Sequence, residues 1–234
     1  MSLLDAGMAI TAYFVGQLTV GVFVGVGSQV AGRELSDTGW MILALVATTG
    51  GLLFALGWLR LRGRLTAHLW GPEPGGARAV MLGLVFGVLG TLLTYLLNGA
   101  VGFITEIDGG VEQQVVQDAM SGGTSLLLAV IVAVVLAPIA EELLFRGLLF
   151  PALRRWIGLW PAAVLSSVAF TVVHVEIVLS QPLALVGLFA FGILLAWTHH
   201  RFGNLLVPII AHAMFNSLSL TLVLALDRLG IVVG

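Results

Sequence analysis

Three apolar stretches of the sequence contain polar side chains of the kinds that acid–base catalysis uses. The stretches are LAPIAEELLFRGLLFP, VAFTVVHVEI and IIAHAMFNSLSL. Their polar groups are two adjacent glutamates, an arginine, two histidines and an asparagine, namely Glu141, Glu142, Arg146, His174, His212 and Asn216. A charge inside a bilayer costs about 2.5 kcal/mol or more on insertion scales, so such groups are candidates for a functional site.

The two adjacent glutamates are expected to do different things. On a helix, Glu142 and Arg146 are four residues apart and can form an ion pair. Glu141 points about 100° away from that pair, given about 3.6 residues per turn, and has no such helical partner. An unpaired buried carboxylate is available as a general base. Pro138 deletes a backbone hydrogen bond nearby, which can kink or loosen the helix.

The histidines and the asparagine are spaced so that they could meet this carboxylate. His212 and Asn216 are four residues apart and share a helix face, as do Phe170 and His174. At about 1.5 Å per residue, Glu141, His174, His212 and Asn216 would lie about 15, 19, 12 and 18 Å from the cytoplasmic ends of their segments. The spacing therefore predicts one polar site in the cytoplasmic half to the middle of the bilayer.

Each of these residues also has a structural interpretation. A lone Glu–Arg pair in a membrane bundle is often an interhelical staple, and a lone histidine is more often a satisfied core residue than a ligand. The combination of a carboxylate, two histidines and an amide on three segments favours catalysis. Gln17 and Gln29, in the first apolar stretch, are interpreted as packing or helix–helix hydrogen bonds.

The composition requires that membrane helices position this site. Hydrophobic residues make up 59% of the 234 residues and charged residues only 9%, whereas soluble domains carry roughly 25% charged residues. The sequence therefore predicts an all-α, polytopic transmembrane bundle of about seven helices, each needing about 20 apolar residues. The predicted segments lie near 8–31, 40–60, 79–104, 124–150, 161–179, 183–198 and 204–226.

Charge patterning predicts the orientation and excludes one class of partner. The arginine-bearing connections at 60–78, 154–160 and 199–203 are expected on the cytoplasmic side. The acidic or neutral loops between them are then outside, the amino terminus inside and the carboxyl terminus outside. The net charge of −2 provides no basic patch for nucleic acid. We predict two regions, amino-terminal helices and loops at 1–120 and a catalytic core at 121–234.

Taken together, the three motifs resemble those of the CAAX protease and bacteriocin-processing family, which includes the type II CAAX prenyl endopeptidases. The matching patterns are Glu141-Glu142-x-x-x-Arg146, Phe170-x-x-x-His174 and His212-x-x-x-Asn216. Each motif alone is weak, but three in order on successive apolar segments form a specific pattern. They cover about a third of the chain, and the first 120 residues match only as hydrophobic helices.

The resemblance implies an intramembrane endopeptidase. By likeness, Glu141 with His174 would activate water, and His212 with Asn216 would stabilise the oxyanion. Glu142 and Arg146 would hold the geometry of the site. A metal-independent mechanism without a cofactor is favoured, but zinc held by Glu141, His174 and His212 remains an alternative.

The expected partners are a peptide or membrane-protein substrate and the lipid bilayer, with no prediction of oligomeric state. The expected location is a bacterial inner membrane. The alternative function is a catalytically silent scaffold or bacteriocin-immunity protein of the same fold. A small transporter is disfavoured because the sequence has no internal repeat.

Overall fold

The computed structural model describes residues 2–32, 34–63, 75–105, 123–174 and 184–229. All regular secondary structure in these ranges is helical, which confirms the all-α prediction. The helices, named here in chain order, are α1 Leu3–Val30, α2 Asp37–Leu61, α3 Gly76–Thr105, α4 Gly123–Ile157, α5 Leu159–Val172, α6 Ala184–Phe202 and α7 Leu206–Arg228.

Six of these helices are long and apolar enough to cross a membrane. The shorter one is α5, with 14 residues in its described part. The predicted fifth segment ran to residue 179, and its residues 175–179 lie outside the described part of the chain. The protein is a multi-pass integral membrane protein built as a helical bundle, as the sequence predicted.

Two predicted turns begin later than expected. Arg154 and Arg155 form the last turn of α4, and His199, His200 and Arg201 form the last turn of α6. Basic side chains are favoured there because they face the negative end of the helix dipole. The chain reverses instead at Gly158 and Gly203, whose φ angles of +80° and +64° favour glycine.

Several charges that determined the predicted orientation fall outside the described residues. They are Arg33, Arg64, Glu106, Asp108, Glu112, Asp118 and Glu176. The cytoplasmic amino terminus therefore stays a prediction.

Glycines on α3 allow it to pack closely against α6 and α7. A Cβ atom on Gly83 would lie 2.5 Å from Cβ of Ile210, and one on Gly87 would lie 2.5 Å from Cβ of Met214. Such small residues let membrane helices approach until their backbones are in contact. The α3 helix thereby supports α7, which carries the third motif, and the neighbouring helix α6.

The α1 and α2 helices make a similar close contact at the other side of α4. A Cβ atom on Gly51 of α2 would lie 2.6 Å from the carbonyl oxygen of Tyr13 on α1. Buried side chains of both helices pack with side chains of α4 and α5 in one apolar cluster. We call α1 and α2 together the amino-terminal hairpin.

The α4 helix is α-helical around the glutamates but π-helical on both sides of them. The π-helical segments are Ile131–Leu136 and Leu143–Leu149. After each segment a backbone amide donates to the carbonyl five residues earlier, from Ala137 to Val132 and from Phe150 to Phe145. Short π-helical turns are frequent at functional sites. Here they flank Ala137–Glu142, the segment that carries the predicted base.

Candidate active site

Glu142 and Arg146 form the predicted ion pair in the interior of the bundle. Nη1 of Arg146 donates to Oε1 of Glu142 at 2.9 Å, and both side chains are fully buried. Each side chain supplies the counter-charge of the other, so neither is buried as an isolated ion.

Arg146 is fixed from two further directions that the sequence motif does not show. Its Nη2 donates to the carbonyl oxygen of Gly192 on α6 at 3.2 Å. Its guanidinium carbon lies 4.3 Å from the centre of the Phe170 ring on α5, a cation–π distance. A Cβ atom on Gly192 would lie 3.3 Å from Nη2, so glycine leaves room for the arginine. The pair therefore ties α4 to both α5 and α6.

His212 lies between the two glutamates and is held in one tautomer. Its Nδ1 is 2.9 Å from Oε1 of Glu142. Because an ionised carboxylate only accepts hydrogen bonds, Nδ1 carries the hydrogen. The opposite nitrogen, Nε2, is 3.9 Å from Oε2 of Glu141. Glu142 thus orients His212 towards Glu141.

His174 is oriented in the same way by a backbone group. Its Nδ1 donates to the carbonyl oxygen of Phe170 at 2.8 Å, since a carbonyl can only accept. Its Nε2 then lies 3.5 Å from Oε2 of Glu141. The Phe170 ring lies 4.7 Å from the His174 ring and 5.6 Å from the His212 ring, measured between centroids. Phe170 therefore packs against Arg146 and both imidazoles.

Glu141 is the residue on which the two histidines converge. Its Oε2 has no hydrogen-bond partner among the described residues. Its side chain is 16% exposed and that of His174 is 20% exposed, whereas Glu142 and Arg146 have no exposure. The structure thus brings Glu141, His174 and His212 together around one carboxylate oxygen, which is itself buried although its side chain is partly exposed.

Asn216 lies one turn further along α7 and contacts a different part of α4. Its Nδ2 donates to the carbonyl oxygen of Ala133 at 2.7 Å. In the π-helical pattern that joins Ala137 to Val132, the next donor to Ala133 would be residue 138. Pro138 has no N–H, so Asn216 supplies the missing hydrogen bond. The predicted loosening of the helix at Pro138 is present, and the second amide hydrogen of Asn216 remains for another acceptor.

The zinc alternative can be compared with the placement of these side chains. A catalytic zinc usually takes three protein ligands and keeps one open position. Within the described ranges, no group of three or more His, Asp or Glu side chains is arranged to hold a metal ion. Metal dependence stays a prediction, and no proposed step passes through a metal.

Sequence reasoning missed the contacts that join the motifs to each other. The sequence predicts one partner for Glu142, and the structure shows two. The second partner, His212, is 70 positions away in the chain, so no helical spacing indicates it. Gly192 and the face of Phe170 were not recognised as contacts of Arg146. The one available signal was the spacing of Phe170 and His174, which placed them on a common helix face. Residues far apart in sequence have no such periodic signal.

Comparison with known proteins gives a family match over the region that carries the site. Residues 123–218 match the family described as type II CAAX prenyl endopeptidase Rce1-like, and this range includes the six motif residues. No solved structure matches the chain.

Two curated relatives match part of the chain. One, from Bacillus subtilis (strain 168), is named "Putative membrane peptidase YdiL" and is 28% identical over 145 residues, which cover 61% of this chain and 57% of the relative. The other, named "Uncharacterized 24.3 kDa protein" from Escherichia coli, is 31% identical over 98 residues, which cover 41% and 44%. The chain thus spans about half the length of these relatives. Residues 123–218, which contain the charged cluster of α4 to α7, are thus similar to the Rce1-like type II CAAX prenyl endopeptidases.

Proposed function

We propose that the protein is an intramembrane endopeptidase in which Glu141 and His174 activate a water molecule. The observation that carries this proposal is the shared orientation of two histidines towards one carboxylate oxygen. Both imidazoles have Nδ1 engaged by an acceptor and Nε2 within 4 Å of Oε2 of Glu141. A carboxylate next to an imidazole is a competent general base.

The charges of the cluster balance when it holds one extra proton. Glu142 and Arg146 cancel each other. Glu141 is a second carboxylate, and one proton on an adjacent imidazole neutralises it. A water-poor interior favours such neutrality because an uncompensated charge there is costly. The cluster is therefore suited to hold a proton at Glu141, His174 or His212 and to pass it between them.

The reaction we propose is a hydrolysis with this proton relay. Water loses a proton to the Glu141–His174 pair as its oxygen bonds to the scissile carbonyl carbon. The negative oxygen that forms is stabilised by Nε2–H of protonated His212 and by the second amide hydrogen of Asn216. When the C–N bond breaks, the pair returns the proton to the leaving amine. Oxyanion donors are worth most where water is excluded.

The proposed substrate is a peptide bond of a peptide or membrane protein, near or within the membrane. Glu141 and His212 lie on helices that are long and apolar enough to cross a bilayer, and His174 follows the shorter apolar helix α5. Among the six motif residues, Glu141, His174 and Asn216 are partly exposed, and the other three are buried. A soluble folded protein could not present a peptide bond there without first unfolding.

The test is cleavage of a membrane-peptide library in proteoliposomes, with products identified by mass spectrometry. Glu141→Gln keeps the size of the side chain but removes the base, so turnover should fall by at least about 10²-fold. Glu34→Gln, at an exposed position, is the matched control and should match wild type. Equal cleavage by wild type and Glu141→Gln would exclude Glu141 as the base. Absence of cleavage by wild type would favour the alternative of a catalytically silent scaffold.

The same preparation tests the metal-independent mechanism. We expect no stoichiometric zinc by mass spectrometry and unchanged turnover after treatment with a strong chelator. One zinc per chain, lost in His174→Ala together with activity, would instead establish a metalloenzyme.

A further inference from the structure

We propose that Tyr13 of the amino-terminal hairpin is a further catalytic residue, whose hydroxyl donates a hydrogen bond to the substrate carbonyl opposite Glu141. Gln17 and Thr48 hold this hydroxyl in place. The proposal rests on the proposed function and deepens it, because it assigns a part of the site to the region outside the family match.

Tyr13 is buried directly beside the segment that carries the base. Its side chain is 4% exposed and packs in the same apolar cluster as Ala140, Leu144 and Phe170. Ala140 precedes Glu141 in the chain, and the backbone carbonyl of Phe170 accepts the hydrogen bond from Nδ1 of His174. Residues 137–142 of α4 also contact α2. The tyrosine therefore lies on a helix other than those that carry the two glutamates and His212.

Tyr13 packs in the same apolar cluster as Ala140, the residue that precedes the Glu141 carboxylate on α4. Oε2 of that carboxylate accepts no hydrogen bond from the described residues. A hydroxyl and a carboxylate on neighbouring helices can both contact a third group placed between them, as bridging waters do. In a peptidase, that group is the carbonyl under attack.

Gln17 determines which hydrogen-bond role the Tyr13 oxygen takes. Its Nε2 donates to the Tyr13 oxygen at 3.0 Å and to Oγ1 of Thr48 at 3.4 Å. An amide nitrogen only donates, so the Tyr13 oxygen accepts this bond, and the bond does not use the hydrogen of the hydroxyl. The close approach of α1 and α2 at Gly51 brings Thr48 within reach of Gln17. The three side chains form a neutral polar set on two helices.

A phenol suits this role in a membrane interior. It can donate to a developing oxyanion without carrying a charge of its own, so it avoids the cost of a buried ion. It would act beside His212 and Asn216, from a different direction. Because the donor strengthens its bond only as negative charge develops, its loss should lower kcat and leave KM nearly unchanged.

The experiment compares the two tyrosines of the chain. Tyr13→Phe keeps the ring and its packing but removes the hydroxyl, and should lower kcat about 10²-fold with KM and melting temperature close to wild type. Tyr95→Phe is the matched control, since Tyr95 lies on α3 with its side chain 39% exposed, and should leave kcat unchanged. Gln17→Leu removes the group that orients the hydroxyl and should lower kcat by a smaller factor.

Two outcomes separate this proposal from the proposed function. If wild type cleaves, Glu141→Gln does not, and both Tyr13→Phe and Gln17→Leu keep wild-type kcat, the role of Tyr13 is refuted while the peptidase stands. If Glu141→Gln retains activity, the proposed function itself fails. Should Tyr13→Phe be unstable, the kcat and KM of Gln17→Leu decide the question.

Discussion

The amino-terminal hairpin and the α4–α7 region both bury polar groups, but of different kinds. The polar groups in the middle of the hairpin are neutral: a phenol, an amide and a hydroxyl joined by Gln17. Its ion pair, Arg62 with Asp5 at 3.4 Å, joins the start of α1 to the end of α2, and the arginine is half exposed. In the α4–α7 region the buried pair is in the centre, and neither partner is exposed.

This difference shows how the two regions compensate the free-energy cost of burying polar groups. Where charges are central, several helices contribute to their compensation: α4 and α7 through Glu142 and His212, α6 through Gly192, and α5 through Phe170. In the middle of the hairpin, where only two helices meet, the polar groups are uncharged. A buried neutral group needs one hydrogen bond, whereas a buried ion needs a counter-charge as well.

The largest expected effect comes from removing the central cation. Arg146→Ala leaves Glu142 buried without its counter-charge, and breaking such a pair costs about 3–5 kcal/mol. Arg62→Ala should cost no more than about 1 kcal/mol, because the arginine is half exposed and buried Asp5 keeps a hydrogen bond from the Ser2 amide. Thermal unfolding of both variants in the same detergent measures the contrast. Equal losses of stability would mean that the two ion pairs do not differ as described.

A smaller effect is expected from disturbing the contact that holds the hairpin together. Gly51→Ala places a Cβ atom 2.6 Å from the Tyr13 carbonyl oxygen, and such overpacking costs about 1–3 kcal/mol. Gly57→Ala, on the same helix with nothing within 4 Å of its Cβ, should be neutral or slightly stabilising. Chemical denaturation of the pair of variants is the measurement. A stable, fully active Gly51→Ala variant would show that the close approach of α1 and α2 is dispensable.

The smallest effect concerns the hydrogen bond of Asn216 to α4. Asn216→Leu leaves the Ala133 carbonyl without a donor, and such bonds in membrane proteins contribute about 0.6 to 1.7 kcal/mol. Pro138→Ala restores a backbone N–H at the position that Asn216 replaces. The loss caused by Asn216→Leu should therefore shrink in the Pro138→Ala background, as a double-mutant cycle measures. Simple additivity of the two changes would exclude the substitution of one donor for the other.

Local spacing explains what could be predicted from the sequence. The Glu142–Arg146 pair follows from a four-residue separation on one helix, and the structure shows it. The apolar segments followed from hydropathy, but their ends did not, because basic residues extend α4 and α6 by their favourable position near the helix dipole. Chain reversal at Gly158 was readable in principle as a glycine after a helix.

The links between distant segments could not be predicted in the same way. The sequence gives no information on which nitrogen of His212 faces Glu142, because that choice depends on how α7 rotates against α4. Gln17 is predicted to serve packing or a helix–helix hydrogen bond, and the structure shows such a bond, to Thr48 of α2. Its four-residue separation from Tyr13 also signals a side-chain pair, which the structure contains. Neutral polar groups carry no charge that marks them as candidates for a site, so their role depends on contacts that the fold creates.

The two π-helical segments of α4 have a consequence for comparing this chain with its homologues. A π-helical turn contains one residue more than an α-helical turn, so each segment shifts the phase of everything after it by about 100°. Residues before Ile131, between Ala137 and Glu142, and after Leu149 therefore do not share one helical wheel. A homologue that lacks one of these residues would have an ordinary α-helix at that point and, unless the helix rotated, a glutamate facing a different neighbour. Single-residue gaps in alignments of α4 are thus expected inside Ile131–Leu136 or Leu143–Leu149, and they would coincide with loss of the catalytic geometry.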